Sequence, residues 1–303
     1  MRAVITNHPS LRRAVPVVWH DCSWLPRIRV QSSSFPCAVI SDPLPARGNV
    51  SFLKTMKTNS ARPRHSRAGF TLVELLVVIA IIGILAGMVL AVLPGVVNSA
   101  KRAKSKIEAQ DIVTAINAYD SAYGRFPVSK NAQTAAGTND LTYGGSVLLN
   151  AGFTGYATTN NDEVIAILTD VVTNVVTGQG VNGNHVKNPQ RTVFLNAKHV
   201  DDATLPGIGP DGVYRDPWGQ PYIISLDLNF DEQCQDVFYA QKAVSQQAGQ
   251  TGINGLFNPD AGGNTDNFQF HGKVMVWSAG PDKKISNTDP ADKIPNKDNV
   301  ISW

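Results

Sequence analysis

Glu74 is the only ionisable residue in a run of 24 residues, Phe70 to Leu93 (FTLVELLVVIAIIGILAGMVLAVL), in which Thr71 is the only other polar member. A carboxylate in such a segment costs on the order of 2.5 to 3.5 kcal/mol on membrane insertion. Its presence there marks a function with a partner. The remaining candidates for chemistry are weaker. Asp227, Asp231, Glu232 and Asp236 could supply an acid and a base, but no second motif accompanies them and they read as a solvated strand edge. The histidines at 8, 20, 65, 185, 199 and 271 have no neighbour at catalytic or ligand spacing. There is no nucleophile elbow, phosphate loop or HExxH, and the glycine-rich GIGPDG, Gly207 to Gly212, reads as a turn. Enzymatic activity is therefore not expected.

The apolar run decides the class. At 1.5 Å per residue it makes about 36 Å of helix, enough to cross a hydrocarbon core of roughly 30 Å. Lys57, Arg62, Arg64 and Arg67 precede it with no acid between Met56 and Gly69. This flank places the amino end in the cytoplasm and the rest of the chain outside, although Lys101, Arg102, Lys104 and Lys106 follow the run and oppose that bias. A secretory signal peptide would have a shorter apolar run with small residues at its far end. Here the small residues Ala68 and Gly69 stand before the run. A plain membrane anchor would account for the length but not for Glu74.

Composition agrees with one anchored domain. The chain has 303 residues, 17% charged and 43% hydrophobic, with a net charge of +3. Much of the basic excess precedes residue 68, so nothing indicates a nucleic-acid surface. Cys22 and Cys37 fall in the early segment, which leaves Cys234 alone and excludes a disulfide framework beyond it. After the apolar run, Pro94-Gly95 is expected to interrupt the helix as a kink or loosened turn. Ala109, Ile112, Ile116, Tyr119 and Tyr123 then recur at spacings of three and four, an amphipathic stripe stopped by Gly124 and Pro127. Residues 128 to 160 read as loop with at most a short helix near Ser146 to Asn150, Glu163 to Val176 as a short helix, and Asn182 to Gly212 as mostly irregular. Strands are expected at Pro221 to Leu228 and Lys273 to Ser278. The sum is an α+β fold: a long N-terminal helix packed on a small antiparallel sheet with inserted loops.

Gly69, Phe70, Thr71, Leu72, Val73 and Glu74, with the apolar run behind them, resemble the class III leader of type IV prepilins and type II secretion pseudopilins. The resemblance implies cleavage between Gly69 and Phe70 by a prepilin peptidase, N-methylation of Phe70 by a methyltransferase, and assembly with other pilin or pseudopilin subunits. It implies that Glu74 pairs with the terminal amine of a neighbouring subunit. It divides the chain into a removed leader (1–69, with Met56 as an alternative start), a transmembrane and assembly helix (70–97) and a pilin-like domain outside the cytoplasm (98–303). Location follows as a single-pass inner-membrane protein and then a pilus or pseudopilus.

Two later stretches resemble the major pseudopilin of type II secretion. RDPWGQPY, Arg215 to Tyr222, looks like the turn leading into its sheet, with Trp218 and Tyr222 expected at the helix–sheet interface. The tail from Trp277 to Trp303 resembles a calcium-binding loop. Carried over, the carbonyl of Ala279 and the side chains of Asp282, Asp298 and Asn299 would be the ligands, with Asn299 standing where the family prefers an acid. The oxygen donors suit Ca2+. The first reading is thus a structural filament subunit, a pseudopilin. A type IV pilus subunit for adhesion, motility or DNA uptake is the close alternative, and a membrane-tethered binding module or enzyme with a borrowed leader the distant one.

Overall fold

The computed structural model describes residues 69–172 and 180–303; the leader up to Ala68, the alternative start at Met56 and the expected helix end at Val176 lie outside the described residues. Thr71 opens α1 (Leu72–Tyr123) with extended backbone, and Gly124 closes it at φ 62°, a left-handed conformation that glycine adopts without a Cβ penalty. The helix runs through Pro94 and Gly95 as one element. Proline removes one backbone donor, and the turns on either side retain theirs; Ser99 Oγ also donates to the Gly95 carbonyl at 3.0 Å.

Only the second half of α1 is covered by the rest of the domain. Its buried residues are Ser105, Ala109, Ile112, Ala115, Ile116 and Tyr119, so the expected stripe packs as read, with Tyr123 partly buried at its end. The span to Leu93 lies open on all sides.

Past the helix come α2 (Lys130–Ala136), β1 (Leu141–Tyr143), α3 (Gly145–Asn150) and α4 (Asp162–Leu168). The segment thus holds more structure than the loop with one short helix that its composition predicts. Ser129 caps α2 by accepting from the Ala132 amide at 3.1 Å. The expected helix from Glu163 ends at Leu168, where the Phe194 and Leu195 amides both donate to the Leu168 carbonyl. Then β2 (Gly207–Ile208) and β3 (Tyr214–Arg215) form a small hairpin, so GIGPDG is its turn with the first two residues in a strand.

The main sheet has order β1-β4-β9-β10, all antiparallel, with β4 (Ile223–Leu226), β9 (Val274–Ser278) and β10 (Val300–Ile301). Strand alternation divides two cores. Ile224, Leu226, Val274 and Val276 face α1 together with Ile112, Ile116 and Tyr119. Ile223, Met275 and Trp277 point the other way into a second core with Phe238, Tyr239, Leu256 and Phe268. That second core is closed by the excursion between β4 and β9, which holds β5 (Gln233–Cys234), α5 (Lys242–Ser245), β6 (Gln246–Ala248), β7 (Thr251–Gly252) and β8 (Phe270–His271).

The excursion corrects the reading of the four carboxylates as a solvated edge. Asp231 and Glu232 are exposed, but Asp227 and Asp236 are fully buried. Asp236 accepts from Ser225 Oγ (2.6 Å), Trp277 Nε1 (3.0 Å) and the Phe238 and Tyr239 amides, pinning the excursion to the sheet. Asp227 accepts from the amides of Phe230, Asp231 and Glu232 and shapes the turn after β4. A buried carboxylate is tolerated when its lone pairs are satisfied in this way. Burial nonetheless pushes the Asp236 carboxyl above the ordinary range, against those hydrogen bonds.

Candidate assembly terminus and tail loop

Glu74 is held by a reciprocal cap. Thr71 donates its amide (2.9 Å) and its hydroxyl (2.8 Å) to Glu74 Oε2, while the Glu74 amide donates to Thr71 Oγ1 at 3.2 Å. The carboxylate thus sits over the positive end of the α1 dipole, where a negative charge is favoured. The sequence analysis missed this cap, although Thr-x-x-Glu before an apolar run carries its signature. Gly69 and Phe70 lie exposed ahead of it, and a Cβ added at Gly69 would meet nothing within 4 Å.

Past the end of β9 the segment carrying Ala279, Gly280 and Asp282 meets the one carrying Asp298 and Asn299. Gly280 has φ 73°, and a Cβ there would come within 2.2 Å of the Asp298 carbonyl oxygen, so the two tail segments touch through a residue with no side chain. The Asp282 amide donates to Asp298 Oδ2 at 3.3 Å, and Asp282 Oδ1 accepts from the Lys284 amide at 2.9 Å. Asn299 Nδ2 donates to the Tyr239 hydroxyl at 3.1 Å. Asp298 Oδ1 and Asn299 Oδ1 are both enclosed and accept no hydrogen bond among the described residues. Burial, then the charge of Asp282, raises the Asp298 carboxyl above its ordinary value. Two enclosed oxygen acceptors without donors are of the kind that a hard cation takes as ligands. Arg102, which sequence reasoning did not attach to this loop, donates to the Asp298 carbonyl at 3.1 Å and approaches its carboxylate at 3.8 Å.

The RDPWGQPY turn is structural. Asp216 accepts from the Trp218 and Gln220 amides at 2.9 Å each and from Ser278 Oγ at 2.5 Å, tying the turn to the end of β9. Gly219 takes φ 85° against the Thr204 carbonyl. Tyr222 reaches the helix as expected, donating to Glu108 Oε2 at 2.7 Å. Trp218 is half-buried and belongs to neither core.

Residues 64–90 match the model of the prokaryotic N-terminal methylation motif. The chain carries the class III leader of type IV pilins and pseudopilins. The match spans Arg64 and Arg67 of the basic flank, Gly69-Phe70, Glu74 and most of the apolar run. No curated protein and no solved structure matches the chain. The leader implies processing by a prepilin peptidase and assembly with other pilin-like subunits. Among the described residues α1 is the one helix long and apolar enough to cross a membrane. Leader and helix together fit a pilin-like chain anchored in the inner membrane, and point to a structural subunit.

Proposed function

We propose that this chain is a pseudopilin, the filament subunit of a type II secretion-like system, in which residues 1–69 are removed, 70–97 anchor and assemble, and 98–303 fold outside the cytoplasm. The observation that carries the reading is the division of α1: a capped, bare apolar half continuous with a half packed on an antiparallel sheet. A subunit of this form waits in the bilayer and exchanges lipid for neighbouring helices on assembly. The turn at Arg215 to Tyr222 and the tail loop favour a pseudopilin over a pilus subunit. In the same reading Ala279 O, Asp282, Asp298 and Asn299 hold a calcium ion, which fixes the tail against the end of β9.

The test is co-expression of the full chain with a prepilin peptidase, with and without the secretion ATPase and outer-membrane secretin. Expected are a methylated Phe70 terminus and sheared filaments that require the secretion components. Gly69→Val should block the size shift, and since Gly69 is uncrowded in this chain, the block would report recognition by the peptidase. A terminus at residue 1 or beyond Leu93 would overturn the assignment, and filaments that form only with pilus machinery would select the pilus subunit.

A further inference from the structure

The covered half of α1 carries opposite charges at its two ends. At its start stand Lys101, Arg102, Lys104 and Lys106. Arg102 is engaged by Asp298 and Lys104 by Glu108 at 3.6 Å, whereas Lys101 and Lys106 have no ion pair among the described residues. Lys106 is exposed and lines a shallow groove where α1 meets Asn299, Val300 and Ile301.

The other end is acidic. Lys273 reaches Asp120 at 3.1 Å, and the Phe230 and Phe126 rings pack with centroids 5.3 Å apart, so the turn after β4 lies beside the last turns of α1. Asp231 and Glu232 line an open groove there with Gln233, His271, Gly272 and Lys273. Both acids are exposed, and neither has an ion pair among the described residues. Lys273, the groove's one lysine, is taken by Asp120. Crowding of negative charge is felt nearby: the Asp140 carboxyl is pushed up to about 7, by burial first and then by Asp227 and Asp231.

From Lys106 to Asp120 the helix rises about 21 Å, roughly twice the distance over which salt screens exposed charges. The two ends of one molecule therefore cannot satisfy each other. Copies arranged with parallel helices and displaced along the axis by about this rise would bring a Lys106 groove to an Asp231–Glu232 groove. We propose that these two surfaces are the two sides of a contact between copies of this chain, Lys106 of one copy docking against Asp231 and Glu232 of another. The proposal rests on the filament reading. Each contact is a weak exposed pair, and its value lies in fixing the axial offset, since a shifted register would set like charge against like.

The experiment uses the full chain with its peptidase and assembly components. Compared are wild type, Lys106→Glu, the pair Asp231→Lys with Glu232→Lys, and all three together. Each single-ended reversal should lower the yield of sheared filaments about fivefold or more, the size of one coupled contact, and the combined variant should recover to within about twofold. Processing at Phe70 and protease resistance of the detergent-extracted subunit verify that each variant is folded. Independently, Lys106→Cys in one copy and Glu232→Cys in another should form a disulfide between copies; the native Cys234 is buried. Filaments at wild-type yield in both reversals, without the cross-link, overturn the contact and leave the subunit reading standing. A combined variant as poor as Lys106→Glu alone also overturns it, and assigns Lys106 to anionic lipid headgroups. A processed wild type that forms neither filaments nor the cross-link removes the subunit reading and this contact with it.

Discussion

The two halves of α1 share one helix geometry and meet different surroundings. In the second half every third or fourth residue, Ala109, Ile112, Ile116 and Tyr119, is fully enclosed by the chain's own sheet and loops. In the first half, between Glu74 and Leu93, the side chains are apolar all round, and Ile81, Ile84 and Val89 are each more than half exposed. A helix hydrophobic on every face is stable only inside something else. The comparison separates what this chain finishes by itself from what it leaves for a membrane or for other subunits.

The sharpest way to break the comparison is at Glu74. Glu74→Leu removes a charge that is expensive in lipid, and the side-chain hydrogen bonds it gives up are those from Thr71. Filament incorporation should fall to background while insertion and the melting temperature of the extracted subunit hold; normal incorporation would show that the terminal charge pair is not used. Ile116→Ala should cost about 2 to 5 kcal/mol, as buried Ile truncations do, and lower the melting temperature clearly. Ile81→Ala in the bare half should leave it unchanged, and equal effects from both would mean that the bare half is packed after all.

Smaller effects are expected at the tail. In calcium at about a hundred times its dissociation constant, the site should add about 2.7 kcal/mol of stability, seen as a rise in melting temperature over chelator. Asp282→Ala should abolish the difference; identical curves for both proteins in calcium and in chelator would end the calcium assignment. The smallest concerns Asp140, whose folded value of about 7 lies above its ordinary 3.8. The folded state then binds the proton more tightly, so stability is greatest below about pH 4 for this group and declines as pH rises through 7. Melting measured from pH 5 to pH 8 should fall, and Asp140→Asn should flatten the slope; an unchanged slope in the variant would assign it to another group.

What could be read from the sequence was what repeats or has a strong local signal. The apolar run, the stripe from Ala109 to Tyr119, the stop at Gly124 and strands β4 and β9 all carry periodicity or a special backbone position. Missing were β1, three residues whose register with Leu226 to Ile224 is set by a partner more than eighty positions away, and the layer pinned by Asp236. Asp236 looks like a surface acid in the sequence because its donors, Ser225 and Trp277, lie on two strands that only the fold brings together. At the tail, resemblance picked out Ala279, Asp282, Asp298 and Asn299, but Arg102 could not be attached to them because it arrives from the helix. The Thr71–Glu74 cap was legible, since both residues stand in one turn.

The sheet between two cores has a mechanical consequence. Tension along a filament of such subunits would run from helix to helix through α1 and the core it shares with β4 and β9. The layer from Asp236 to Phe268 hangs on the far face, fastened by Asp236 and by the rings around Trp277, and it lies off that line of force. It is a cladding on a strut: it can be lengthened, reshaped or worn by shear without slackening the member that bears the pull.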